Sequence, residues 1–337
     1  MTTAWKRAIA LLAVACTAWM SPARAEVSEL RVARQYGIGY LQLMVMEHES
    51  LIEKHARAAG LPDLKVSWNR FTDGTVMNDA ILSGNLDFAG GGIGSFITLW
   101  DRTHTSLKVK AVAALNSMPA FLNSRVDRIR SVKDFTPQDR IALPGVKVSP
   151  QAVTLQLAAA QAFGDDAWNR LDSLTVNMAH PVGMQALLGG QDQIVAHFTS
   201  PPFQYMELAN PGIHKVLSSF EIWGGPQTFI TVWAISRFRD ENPKTYGAFL
   251  AALEEATAFI KAQPKAAAEI YLEMTGDKRL KVDDLLGMLA DPDIRYTLVP
   301  ENMVKFAEFK KKTGTIKRTP DSWKDFFFPG IHHLAGS

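Results

Sequence analysis

The stretch Phe71 to Ser95, FTDGTVMNDAILSGNLDFAGGGIGS, decides the fold. Asp73, Gly74 and Thr75 form a polar turn. A helix follows, with Val76, Ala80 and Ile81 read as its inward face. Gly84-Asn85 stops it, because glycine accepts the left-handed conformation that a helix C-terminus needs. Leu86, Phe88 and Ala89 make a short buried strand, and Gly90-Gly91-Gly92 loops into a helix that begins near Gly94-Ser95. Open parallel sheets bind ligands beside the C-terminal ends of their strands, where loops enter helices. Two such loops lie close together here, both free of bulky side chains, so their backbone N–H groups can point at one ligand. The competing reading is two ordinary turns that use glycine for tight geometry.

Met1 to Ala25 has the form of a secretory signal: Lys6 and Arg7, an apolar run from Ala8 to Ala18, and the small-x-small site Ala23-Arg24-Ala25. The apolar run is short for an N-terminal anchor helix. A lipoprotein reading through Cys16 lacks the usual leucine, since Ala13-Val14-Ala15 precedes it. The expectation is therefore a periplasmic protein exported through a cleavable signal. Cleavage leaves 312 of 337 residues, with 33 basic against 34 acidic and a net charge of −1. That balance offers no basic stripe for nucleic acid. Cys16 is the only cysteine, so the mature chain is expected to form no disulfide, cysteine metal site or catalytic thiolate.

The rest of the chain alternates strands and helices, which predicts two parallel α/β sheets. Leu30 to Gln35 reads as the first strand, and one amphipathic helix runs from Leu41 to about Ala59. Leu64 to Asn69 is the second strand and Lys108 to Leu115 the fourth. A second set begins near Ser131: strands at Arg140 to Leu143, Gln193 to Phe198 and Lys215 to Ser218, and helices at Gln151 to Phe163 and Pro181 to Leu188. Ser149-Pro150 fits an N-cap with proline at the first helical position. Thr228 to Ile235 is a further strand, and the chain after Ser236 is mostly helical.

The Gly74…Ala80…Gly84…Leu86-Asp87 pattern, the glycine stretch and the leader together resemble a bacterial solute-binding protein of the nitrate/sulfonate/taurine class of ABC transporters. Ser131-Val132-Lys133-Asp134-Phe135 followed by Arg140-Ile141-Ala142 is similar to that family's entry into its second lobe. The resemblance implies an α/β, type II periplasmic-binding-protein-like fold with a two-crossing hinge. Lobe one is then 26–115 plus 220–337, and lobe two 116–219. It implies a monomer that hands a small solute to an ABC permease in the inner membrane. One departure is Asp73, where the family usually has serine or glycine.

Motifs for other chemistry are absent. Gly90 to Ser95 is not G-x-G-x-x-G, no Walker A sequence occurs, and neither Glu47-His48-Glu49 nor His332-His333 has zinc spacing. His332-His333 reads as a solvated tail. No cofactor and no metal are expected. The competing function is a dehydratase-like enzyme acting on a small carboxylate, with Asp73 and His197 as its acid or base. Candidate ligand contacts follow from loop positions: Tyr36, Gly37 and Tyr40 after the first strand; Asp73, Gly74 and Thr75 after the second; Gly91, Gly92 and Ser95 after the third. Asn116 and Ser117 lie at the first crossing. Val148, Ser149, His197 and Thr199 come from lobe two, and Trp223 lies near the return crossing. Tyr36 and Trp223 also read as core, His197 as a satisfied buried histidine, and Ser149 as a cap only.

Asp73 bears on the ligand. As an N-cap it bonds the N–H of Val76 or Met77, and its carboxylate repels a bare oxyanion. The expected ligand is an organic solute, sulfonate- or taurine-like, amine-bearing or heterocyclic, with any amine facing Asp73.

Overall fold

Apolar runs bounded by glycine, proline and asparagine become strands, and the strands assemble into two sheets. The computed structural model describes residues 25–190 and 194–337. The leader reading of Met1 to Ala25, Cys16 included, lies outside the described residues except for Ala25.

In the first sheet, β1 (Glu29–Arg34) runs parallel to β2 (Lys65–Arg70) and β3 (Phe88–Gly92). β4 (Val109–Ser117) carries the chain out of this sheet. The second sheet holds β5 (Phe121–Ser124), β6 (Arg140–Leu143), β7 (Thr175–Asn177), β8 (Ile194–Thr199) and β9 (His214–Ser218), in the order β7-β6-β8-β5-β9. The chain then returns through β10 (Thr228–Ile235) and adds the short β11 (Arg295–Tyr296), completing the order β11-β4-β10-β3-β1-β2. The helices are α1 (Leu41–His48), α2 (Leu51–Ala58), α3 (Gly74–Leu82), α4 (Ile93–Thr103), α5 (Pro150–Phe163), α6 (His180–Gly189), α7 (Phe203–Leu208) and α8 (Ser219–Trp223). They continue with α9 (Ser236–Glu241), α10 (Pro243–Ala262), α11 (Pro264–Thr275), α12 (Val282–Leu289) and α13 (Met303–Lys312). Phe249 of α10 stacks on Phe88 of β3 at 4.1 Å and anchors the core of the first sheet.

Both sheets are mixed rather than wholly parallel. β10 runs antiparallel to β3 and β4, and β5 antiparallel to β8 and β9. For β10 connectivity dictates this: the return strand enters between β4 and β3 from the end at which β4 left, with Thr228 opposite Ser117, and so points the other way. The same pairing extends β4 through Asn116 and Ser117.

Four local expectations are corrected. Gly90, Gly91 and Gly92 are not a loop but the end of β3, opposite Val232, Thr231 and Ile230 of β10. The helix from Leu41 breaks at Ser50, which adopts φ 50° between α1 and α2. The inward face of α3 is Met77, Asn78 and Ile81, while Val76 is 44% exposed. His332 is half-buried, edge-on to Trp323 and bonded to the Phe327 carbonyl at 3.1 Å, rather than part of a solvated tail.

The Leu86-Asp87 part of the motif turns out to be a strut. Asp87 accepts from Arg31 Nε at 3.0 Å, from an Arg31 terminal nitrogen at 2.7 Å and from the Arg31 backbone N–H at 2.9 Å. A further Arg31 nitrogen donates to the Gly84 carbonyl at 2.6 Å. The turn after α3 is thereby pinned to β1, and Asp87 stands just before the N-terminal end of β3.

Candidate functional site

The C-terminal ends of β1 and β3 meet those of β6, β7 and β8 across a cleft between the sheets. A cavity of about 20 Å³ remains there, room for about one water. Four helices begin at its wall: α3 at Gly74, α4 at Gly92 and Ser95, α5 at Ser149, Pro150 and Gln151, and α6 at His180. Gln35, Tyr36, Tyr40, Pro144, Ser200, Phe229 and Ile230 complete it, so among the described residues no lysine or arginine lines it. A helix N-terminus carries about half a positive charge and several unpaired N–H groups. The four are not equivalent. α4 and α6 have no side-chain cap, and the Ser149 hydroxyl caps α5 through the Ala152 N–H at 3.1 Å. Only α3 is capped by a charge: Asp73 Oδ1 accepts from Thr75 N–H at 2.8 Å and Val76 N–H at 3.3 Å.

The glycines serve a purpose that spacing alone did not reveal: they let the segments that leave the two sheets touch. A Cβ on Gly92 would lie 2.5 Å from Pro150 Cδ, and one on Gly37 would lie 2.9 Å from the Pro201 carbonyl oxygen. A Cβ on Gly94 would fall well inside van der Waals contact of the Val148 carbonyl oxygen. The Ile38 N–H donates to the Pro201 carbonyl at 3.2 Å, and Asn177 Nδ2 approaches Asp73 Oδ2 at 3.4 Å. Asp73 thus ties its own helix with one oxygen and faces Asn177, at the end of β7 in the second sheet, with the other.

Under the lobe-two wall lies a buried polar chain. His197 Nδ1 is 2.6 Å from Glu207 Oε1, and both side chains are 0% exposed. His197 Nε2 lies 3.3 Å from His180 Nδ1, which is also 3.0 Å from the Thr199 hydroxyl. His180 Nε2 faces the cavity, 3.2 Å from the Ser200 hydroxyl and 3.4 Å from Gln151 Nε2. Burial first, and then the neighbouring His197, hold His180 well below the usual imidazole range. Burial likewise pushes the Tyr40 phenol up.

Of the residues singled out in the sequence, Tyr36, Tyr40, Gly74, Gly92, Ser95 and Ser149 line the cavity together. Gly37, Asp73 and Val148 stand at the lobe contact beside it. His197 and Thr199 lie one layer behind, reaching it through His180. Thr75 is exposed, and Gly91 is enclosed by Met77, Trp233 and Gln35. Asn116 donates to the Gly39 carbonyl at 2.6 Å, and Ser117 lies 3.4 Å from Arg295. Trp223 is outside the cavity, stacked on Phe306 at 4.9 Å and donating to the Thr154 hydroxyl at 2.9 Å. Residues the sequence did not single out are Gln35, Pro144, Pro150, Gln151, His180, Ser200, Phe229 and Ile230. His180 is the first residue of α6, directly before Pro181, where the sequence reading began the helix.

Two larger hollows adjoin this region. One of about 470 Å³ shares Gln35 and Tyr36 with the cavity and is rimmed by Arg34, Arg70, Lys278 and Arg279. Arg34 is paired with Glu47 at 3.1 Å and Arg279 with Asp277 at 2.6 Å, which leaves Arg70 and Lys278 as the rim's cations outside those pairs. A wider groove of about 710 Å³ runs between Met184 and Leu188 of α6 and Met288 of α12. It faces no helix N-terminus of the cleft, so the small cavity and its vestibule are the better site.

No protein-family model matches this chain, and no curated protein matches it. Solved structures do. The alkanesulfonate-binding protein SsuA from Xanthomonas axonopodis pv. citri, bound to MOPS, superposes with a TM-score of 0.68 at 16% identity, over 88% of this chain and 96% of that one. The periplasmic aliphatic sulphonate-binding protein SsuA from Escherichia coli gives 0.64 at 18% identity, over 90% and 92%. The Candida albicans CA3427 product, described as having the generic periplasmic binding protein fold, gives 0.66 at 12% identity, over 87% and 92%. The chain has the periplasmic-binding-protein fold.

Proposed function

We propose that this chain is the extracytoplasmic solute-binding component of an ABC importer and that it captures a small organic anion of the sulfonate or taurine kind between its lobes. The observation that carries the reading is the convergence of four helix N-termini on one cavity that no lysine or arginine among the described residues lines. Each such terminus stabilises a nearby anion by about 0.3–2 kcal/mol. Asp73 already neutralises α3, so the acidic head sits toward α4, α5 and α6, and an amine on the solute faces Asp73. A head larger than one water requires the lobes to part and close again around it, with the apolar remainder against Tyr36 and in the vestibule. The sulfonate binders among the structural neighbours support the same ligand class. The chain acts in the periplasm after loss of its leader, as a monomer, and delivers the solute unchanged to an inner-membrane permease. It needs no cofactor for this.

A thermal-shift screen of sulfonates, nitrate, carboxylates, amines and pyrimidines tests the reading. At a thousandfold excess over Kd, binding contributes about 4 kcal/mol, which raises Tm by several degrees. An organic sulfonate should give a shift of that size and nitrate a smaller one. No shift with any small polar solute refutes it.

A further inference from the structure

The chain Glu207–His197–His180 ends at the cavity, and its hydrogen bonds fix where each proton sits. A carboxylate only accepts, so His197 Nδ1–H donates to Glu207 Oε1. His197 Nε2 is then an acceptor facing His180 Nδ1 at 3.3 Å, so Nδ1 carries the proton and shares it between His197 Nε2 and the Thr199 hydroxyl oxygen at 3.0 Å. That assignment leaves the His180 Nε2 lone pair facing the cavity, where Ser200 and Gln151 donate to it. A proton added at this one atom turns an acceptor into a cationic donor, and no bond of the chain behind it breaks.

We propose that His180 is the charge-matching residue of the cleft: an anion bound there brings one proton from solvent onto His180 Nε2, and the Glu207 carboxylate two positions behind balances the resulting imidazolium. The proposal rests on the anion reading above. It adds that the missing lysine or arginine is replaced by a proton that arrives with the ligand.

The surroundings leave few other groups to answer. α6 has no further ionisable residue, and α5 and β5 have none. From β8 the facing group is His197, and from α7 it is Glu207, which also accepts from Asn123 Nδ2 at 2.9 Å. The other ionisable side chain of α7, the Tyr205 phenol, bonds Asp291 instead, and Arg140 of β6 bonds the Pro137 and Asp139 carbonyls at the start of the strand. Across the cavity stand the phenols of Tyr36 and Tyr40, with Asp73 beside them, held by the α3 terminus. His180 is held below the usual imidazole range by burial, so it is neutral at pH 7 until an anion arrives.

Ethanesulfonate is the probe, because its own charge does not change across the pH range used. Its affinity for the purified protein is measured by calorimetry from about pH 5.5 to about 8.5, at each pH in two buffers of different ionisation enthalpy. Binding should take up close to one proton, and affinity should fall by up to about tenfold per pH unit on the alkaline side. His180→Asn should remove both the proton uptake and the pH dependence while keeping its Tm. Glu207→Gln should shift the fall in affinity to lower pH. If Glu207→Gln does not fold, the wild-type proton count and His180→Asn decide alone. Tight binding that is independent of pH and buffer overturns the proposal and leaves the anion reading standing. Absence of saturable binding at every pH overturns both.

Discussion

Replacing Gly94 by alanine separates lobe closure from every other property of the protein. Gly94 is the second residue of α4 and does not line the cavity. Its added Cβ would overlap the Val148 carbonyl oxygen and lie 3.1 Å from Ser149 C and 3.2 Å from Val148 C. All three atoms are backbone of the other lobe, so no side chain can swing aside. The obstacle also sits immediately before the Ser149 cap of α5, which holds that backbone in place. Overpacking of this kind costs about 1–3 kcal/mol. Here the cost falls on the closed form alone, so the Kd of a bound solute should rise about 5- to 150-fold. Alanine inside a helix is favoured over glycine by up to about 1 kcal/mol, so the first lobe itself should be no less stable. The assay pairs calorimetric affinity with small-angle scattering under saturating ethanesulfonate. The wild-type protein should compact on binding, and Gly94→Ala should bind weakly and compact less. A Gly94→Ala protein with unchanged affinity and full compaction would refute the argument that the glycines exist for lobe contact.

Three further outcomes follow from single residues. Asp73→Asn keeps an oxygen for the α3 cap, so it should fold normally yet weaken an amine-bearing sulfonate such as taurine by tenfold or more, on the order of 1.4 kcal/mol; equal affinities by calorimetry would make Asp73 a cap only. Asp87→Ala removes the strut to Arg31 and should lower stability by about 2 kcal/mol in denaturant unfolding, with ligand affinity unchanged; a loss of affinity at full stability would move the motif into the site. Lys310 is 1% exposed, its Nζ has no partner among the described residues, and burial pushes it down to about 8. A folded pKa below the unfolded value of 10.5 means that the native state bears the full cost below about pH 8 and sheds it as pH rises toward 10.5. Lys310→Met should therefore stabilise the protein by up to about 3 kcal/mol at pH 7 and by much less near pH 10; no gain at pH 7 in a thermal melt would show that the ammonium is solvated.

Local signals were legible and long-range ones were not. The cap at Asp73 and the stop at Gly84 are written in adjacent residues, and α3 lies between them. The glycine run was harder. Gly90 to Gly92 read as a loop because their partner, β10, comes about 140 residues later and cannot be seen from the stretch itself. Return of the chain from the second sheet makes β10 antiparallel, which a strand-helix alternation cannot announce. His180 stayed hidden because β7 is only three residues long, so the loop that precedes α6 carried no strand signal. Trp223, a large aromatic near a crossing, read equally as ligand wall or core. Its indole N–H is satisfied by Thr154 and its face by Phe306, so packing against α13 accounts for it. Six of the loop positions nonetheless met at one cavity, because strand ends in this architecture share an edge whatever the details of register.

The central claim is that an organic anion is held between the two sheets, at the shared N-terminal ends of the cleft helices. A crystal structure of the protein grown with ethanesulfonate tests it most directly. The account predicts the sulfonate in the small cavity, its oxygens accepting from backbone N–H groups at the starts of α4 and α5 and from His180, with the ethyl group toward Tyr36. Sulfonate seated instead in the wide groove between Met184 and Met288, or on the outer face of one lobe, would contradict it.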